Sequence, residues 1–196
     1  KIIDINGLNF SGKSAVVDFL REFTSVQVPP YDEEFDLIRI PGGLSDLYDA
    51  FESGCEIRID FALRQFKKVC VHLGERVYGI QRLYRVGMGY ENRYPGFEAQ
   101  CEIFLKSICA DEWMRKSPYE FPHLHAIEIF WSKIKGRLFK KINWPDIKFQ
   151  LGDPEKFFNL APEFLDKILI KSVEKKSISH LVIQNASGYR NPSKNR

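Results

Sequence analysis

The chain lacks any long apolar run, any metal-binding spacing of histidine or cysteine, and any large net charge. No stretch approaches the roughly 20 apolar residues that a helix needs to cross a bilayer, so a helical membrane span is excluded. The formal net charge is +3. That balance gives no argument for a nucleic-acid partner, though a mild positive charge suits an anionic substrate. Cys55, Cys70, Cys101 and Cys109 show no CxxC or ligand spacing, so neither a disulfide framework nor a zinc site is expected. They fall in segments that read as helices and are expected as buried thiols of a cytoplasmic protein. His72, His123, His125 and His180 show no metal spacing and receive no role. No internal repeat and no low-complexity segment is present.

What is there describes an ordinary globular domain. The 196 residues are 44% hydrophobic and 28% charged, enough for one domain with a sizeable core. Sixteen Phe, eight Tyr and three Trp predict a well-filled interior.

The most specific signal lies near the start. Gly7, Gly12, Lys13 and Ser14 complete the pattern G-x-x-x-x-G-K-S. The β-branched run 1–6 before it reads as a strand, and 14–23 after it reads as an amphipathic helix, which is the context the motif requires. Chance produces such a match in on the order of one chain in a hundred of this length. The glycine-rich turn and the helix N-terminus cradle phosphate oxygens, and the lysine adds a mobile positive charge. The expected phosphate-binding residues are Gly7, Asn9, Phe10, Ser11, Gly12, Lys13, Ser14 and Ala15.

Further elements follow from spacing. Residues 25–28 predict a short strand ended by Pro29 and Pro30, and 44–51 predict a helix after the Pro41, Gly42, Gly43 punctuation. Helical spacing recurs over 59–73, 97–108 and 124–139. Residues 147–151 predict a strand. Asp153 and Pro154 predict a helix start, and Pro162 with Glu163 a second one. His180 to Asn185 predicts a buried parallel strand. The expected fold is a P-loop NTPase-like three-layer α/β/α arrangement with a parallel sheet, organised as a start at 1–55, a helical insertion at 56–144 packed on the core, and a return at 145–196. Three or four strands are fewer than the usual five, and the last residues are turn-rich, so a sheet continuing past residue 196 is expected.

A nucleoside-triphosphate enzyme holds Mg²⁺ with the loop Ser or Thr, here Ser14, and usually with an Asp ending a second apolar strand. The candidate strand ends in Gln184 and Asn185 instead. Either that metal ligand lies elsewhere, or the reaction does without a strongly held Mg²⁺. Across from the loop, Glu34 and Asp36 are candidate bases and Arg39 a candidate anion ligand. Lys13 and Glu34 are the expected catalytic pair. Arg82, Arg85 and Arg93 lie in a glycine-containing stretch that could close over phosphates. Lys133, Lys135, Arg137, Lys140 and Lys141 read as the wet face of an amphipathic helix.

The stretch 10–20, followed by 34–47 with its R-I-P-G-G-L sequence, resembles bacterial sulfotransferase-like P-loop proteins, and 181–186 with Asn191 and Pro192 resembles their later strand and loop. The resemblance covers about the first fifty residues and the last seventeen. It implies that the loop around Ser11 to Ser14 binds the phosphosulfate of PAPS and that a sulfuryl group moves to a hydroxyl acceptor such as a glycan, without Mg²⁺. Lys13 departs from that family's loop and suits a nucleoside triphosphate. The alternatives are therefore an ATP- and Mg²⁺-dependent small-molecule or nucleotide kinase, and a degenerate nucleotide-binding module without activity.

Overall fold

The computed structural model describes residues 1–6, 12–29, 34–75, 87–117, 126–138, 146–173 and 177–184. In chain order the elements are β1 (Ile2–Ile5), α1 (Lys13–Arg21), β2 (Val26–Gln27), α2 (Leu44–Glu52), α3 (Glu56–Gly74), α4 (Tyr90–Arg93), α5 (Phe97–Ile108), β3 (Cys109–Lys116), α6 (Ala126–Leu138), β4 (Asp146–Gly152), α7 (Pro154–Lys171) and β5 (His180–Gln184). The result is an α/β protein with a small parallel sheet.

That sheet has the order β1-β5-β2 among the described residues, with both pairings parallel. Ile2 stands opposite Leu181 and Ile5 opposite Gln184. Among the described residues, the last strand thus slots between the first two. Its Leu181, Val182 and Ile183 are all buried, as a strand covered on both faces requires. Leu181 and Ile183 join the main core, and Val182, on the alternate face, does not.

The core is rich in aromatic residues. Phe51 stacks on Phe157 with ring centroids 4.4 Å apart, and Phe104 stacks on Phe164 at 4.3 Å. These stacks explain why α7 runs through Pro162 to Lys171, where the sequence predicts two helices. An interior proline costs a helix about 3 kcal/mol. Burial of Phe157 before it and Phe164, Ile168 and Leu169 after it outweighs that cost. The helix starts as expected: the Asp153 side chain accepts from the Lys156 N–H at 3.1 Å, with proline in the first turn.

The middle of the chain departs from an all-helical insertion. β3 and β4 form a separate antiparallel ladder, from Cys109 opposite Gly152 to Lys116 opposite Asp146. The strand at 147–151 is therefore present but stands outside the parallel sheet. β3 is exposed along nearly all its length, so it carries no alternation for a sequence to reveal. α6 also differs from expectation: none of its described side chains is buried, so its apolar stripe does not pack into the core. Of the cysteines, Cys70 and Cys101 are buried as expected. Cys55 is exposed at the N-cap of α3, and Cys109 is half-buried where β3 begins.

The buried Asp60 carboxylate ties the ladder to α3. Asp60, 1% exposed, pairs with Arg64 at 2.8 Å and accepts the backbone N–H of Gln150 at 2.9 Å. Asp60→Ala leaves that N–H and the Arg64 guanidinium without this acceptor and should cost about 3 kcal/mol in urea unfolding. Asp60→Asn keeps an acceptor for Gln150 and should cost clearly less. Equal losses would show that the charge, not the tie to β4, matters.

Candidate functional site

α1 begins at Lys13 because Gly12 turns the chain there. Gly12 is the N-cap with φ 80°, and its carbonyl accepts the Ala15 N–H at 3.1 Å. An added Cβ would meet nothing within 4 Å, so glycine is required for backbone conformation and not for space. Gly7, Asn9, Phe10 and Ser11 lie outside the described residues. Gly12, Lys13, Ser14 and Ala15 lie within them, at the first turn of a helix that follows β1. The first turn of α1 carries no acidic residue to offset its positive end.

The segment 34–40 crosses the carboxyl end of the sheet. The Phe35 N–H donates to the Gln184 carbonyl at 3.2 Å, which ties the segment to the end of β5. Phe35 is buried and packs on Tyr90 and Tyr94, with centroids 6.1 and 5.3 Å away. The Tyr90 hydroxyl closes the clamp. It donates to the Glu34 carbonyl at 3.1 Å and accepts from the Asp36 N–H at 2.7 Å. Burial holds the Tyr90 phenol far above its usual range, so it stays a neutral donor.

This clamp sets Glu34 beside Lys13. The Glu34 carboxylate lies 3.6 Å from the Lys13 ammonium and also contacts the Arg39 guanidinium. Arg39 in turn reaches the Asp36 carboxylate from Nε at 2.9 Å and from its terminal nitrogen at 2.6 Å. Burial raises the Asp36 carboxyl above its usual range, and the nearby Arg93 guanidinium pulls the other way. Arg93 also sits over the Tyr90 ring, 5.8 Å from its centroid. The structure therefore gathers Lys13, Glu34, Asp36, Arg39 and Arg93. Arg82 and Arg85 lie outside the described residues, as do His123, His125, Lys140, Lys141, Asn185, Asn191 and Pro192.

Just beyond Arg39, Pro41, Gly42 and Gly43 serve a structural end. A Cβ on Gly43 would lie 2.5 Å from the Leu37 carbonyl oxygen, so only glycine lets the turn fold back into α2. No local pattern singles out Tyr90. Its available signal was a glycine, Gly89, at φ 66° before an aromatic pair, Tyr90 and Tyr94, spaced one helical turn apart.

A separate cavity of about 820 Å³ lies among α3, α5 and the β3–β4 ladder, lined by Lys67, Cys70, Glu98, Cys101, Cys109 and Gln150 among others. No residue of α1 or of the segment 34–40 lines it. A hydrogen bond with the Cys70 thiol, and burial after it, hold the Cys101 thiol protonated. Among the described residues no three His, Cys, Asp or Glu side chains are grouped to hold a metal ion, and no helix is long and apolar enough to cross a membrane. No protein-family model, no curated protein and no solved structure matches this chain.

Tyr90→Phe removes the hydroxyl and leaves the ring. The Asp36 N–H loses an acceptor, so unfolding stability should fall by about 1–2 kcal/mol in urea titration. A midpoint equal to wild type would mean that the hydroxyl does not hold the segment.

Proposed function

We propose that the chain is a P-loop nucleotide-binding group transferase that moves a phosphoryl group from ATP to a hydroxyl of a small molecule or nucleotide. The observation that carries this reading is the Glu34 carboxylate 3.6 Å from the Lys13 ammonium, at the carboxyl end of a parallel sheet. Open α/β sheets bind ligands at that end. A strand–loop–helix opening and a P-loop NTPase fold around it agree with the parallel order β1-β5-β2.

Carboxylates from another segment offset the neutral end of β5. The Phe35 N–H bond to Gln184 brings Glu34 and Asp36 to that same strand end, and they supply the negative charge that the strand itself lacks. Mg²⁺ is commonly held by one or two carboxylates together with substrate phosphates. The Ser14 hydroxyl and the Asp36 carboxylate would supply such a set. Bound there, the ion would neutralise charge on the donor's terminal phosphates.

In this reading the donor's phosphates replace Glu34 as the partner of Lys13, and the loop amides and α1 N-terminus take the remaining oxygens. Glu34, released, accepts the proton of the acceptor hydroxyl. As that oxygen bonds to the terminal phosphorus, the bond from phosphorus to the bridging oxygen breaks, and its electron pair leaves with ADP. Arg39 and Arg93 stabilise charge on the transferred group.

The sulfuryl-transfer reading has one observation in its favour, the uncharged Gln184 at the end of β5. Donor dependence separates the two. ATP with Mg²⁺ should raise the melting temperature of the full chain, and Lys13→Ala should abolish the shift. Glu34→Gln should keep the shift and lower the transfer rate by about 10²–10⁴-fold. A shift with PAPS or its bisphosphate product, and none with ATP, would replace the phosphoryl reading with the sulfuryl one. Binding without turnover of either donor would leave a nucleotide-binding module.

A further inference from the structure

α6 is an amphipathic helix whose apolar side is turned to solvent. Ile127, Phe130, Trp131 and Ile134 follow the three- and four-residue spacing of a single stripe. Ile127 is 70% exposed, Phe130 60% and Trp131 56%, and Ile134 is only half-buried. A stripe that packs on a core has the opposite values. Lone exposed apolar residues need no explanation, but contiguous ones on one helix face mark a binding surface. Phe130 and Trp131 also pack edge to face, 6.1 Å between centroids, so the two rings present one aromatic patch.

The charges beside the stripe say what fits it. Lys133 and Arg137 are exposed and lie one turn apart along its border. Lys135 adds a third cation to the helix, whose one acid is Glu128. The sequence after the helix continues the pattern with Phe139, Lys140, Lys141 and Trp144. Apolar and aromatic residues on one side with cations beside them form the composition that lies flat in the headgroup layer of an anionic bilayer. There, Trp and Phe enter the acyl boundary while Lys and Arg meet lipid phosphates and carboxylates. A second copy of this chain fits poorly. Two such stripes facing each other would bring the Lys133 and Arg137 borders of both helices to one seam, like charge against like.

The topology leaves α6 accessible for this. β3 ends at Lys116 directly opposite the start of β4 at Asp146, so residues 117–145 leave and return at one end of the ladder. α6 lies within that excursion in the chain. The same ladder carries exposed apolar residues of its own, Trp113 and Met114.

We propose that α6 is an interfacial helix that docks the protein on an anionic lipid surface through Ile127, Phe130 and Trp131, with Lys133 and Arg137 at the headgroups. The test is sedimentation of the full chain with phosphatidylcholine vesicles, with and without about 30% phosphatidylserine. Wild type should sediment with the anionic vesicles only, and release in about 0.5 M NaCl. Its tryptophan emission should shift to the blue on binding. Phe130→Ser with Trp131→Ser should weaken binding about tenfold or more. Lys133→Glu with Arg137→Glu should weaken it by a similar factor and remove the preference for phosphatidylserine. Both variants alter exposed side chains, and far-ultraviolet circular dichroism melts will show them folded. Wild type that stays in the supernatant with anionic vesicles overturns the proposal, and so does undiminished binding by the Phe130 and Trp131 variant. Sedimentation equilibrium showing a dimer that this variant makes monomeric, without vesicle binding by wild type, would assign the stripe to self-association.

Discussion

The Phe35 N–H bond to the Gln184 carbonyl joins the segment after β2 to the end of β5. Without it the carboxylates of Glu34 and Asp36 would belong to a surface loop. With it they stand over the carboxyl end of the sheet, opposite the first turn of α1. Burial of Phe35 against Tyr90 and Tyr94 holds the bond in place, and the Tyr90 hydroxyl satisfies the backbone on both sides of Phe35. An aromatic core thus fixes the geometry of a charged cluster. Apolar packing supplies the rigidity, and hydrogen bonds supply the register.

The cluster it fixes is electrically balanced in a particular way. Lys13, the cation of the proposed phosphate site, is partnered by Glu34, and Glu34 shares itself with Arg39. A partly exposed pair of this kind contributes little to stability. Its worth is positional: the acid that the cation holds is the acid that stands nearest the group the cation would receive. In the proposed transferase the same contact keeps the lysine extended before the donor arrives and leaves a base in place afterwards.

Much of this was legible in the chain, and the illegible parts have physical reasons. β1, the start of α1, and β5 follow from β-branched runs and from the Gly12, Lys13, Ser14 turn. Asp153 and Pro154 mark the start of α7 as capping chemistry says they must. Pro162 misleads, because local propensity says stop while Phe157 and Phe164 are both claimed by the core. β3 is silent in the sequence because it is held by ladder bonds to β4 and buries almost nothing. At the site, Lys13, Glu34, Asp36 and Arg39 could be named from their positions, but their meeting could not. It depends on Tyr90, more than fifty residues away along the chain, and no local pattern encodes a contact at that separation. α6 shows the reverse case. Its periodicity is plain in the sequence, yet which side faces water is decided by tertiary structure alone.

In the proposed transferase, Glu34 holds Lys13 where a donor's phosphates would bind. Isothermal titration of ATP into wild type and Glu34→Gln measures this without reference to turnover. Removing the competing carboxylate should tighten donor binding by roughly two- to fivefold, the range of a partly exposed ion pair, with Lys13→Ala weakening it in both backgrounds. Unchanged or weaker binding by Glu34→Gln would contradict the claim.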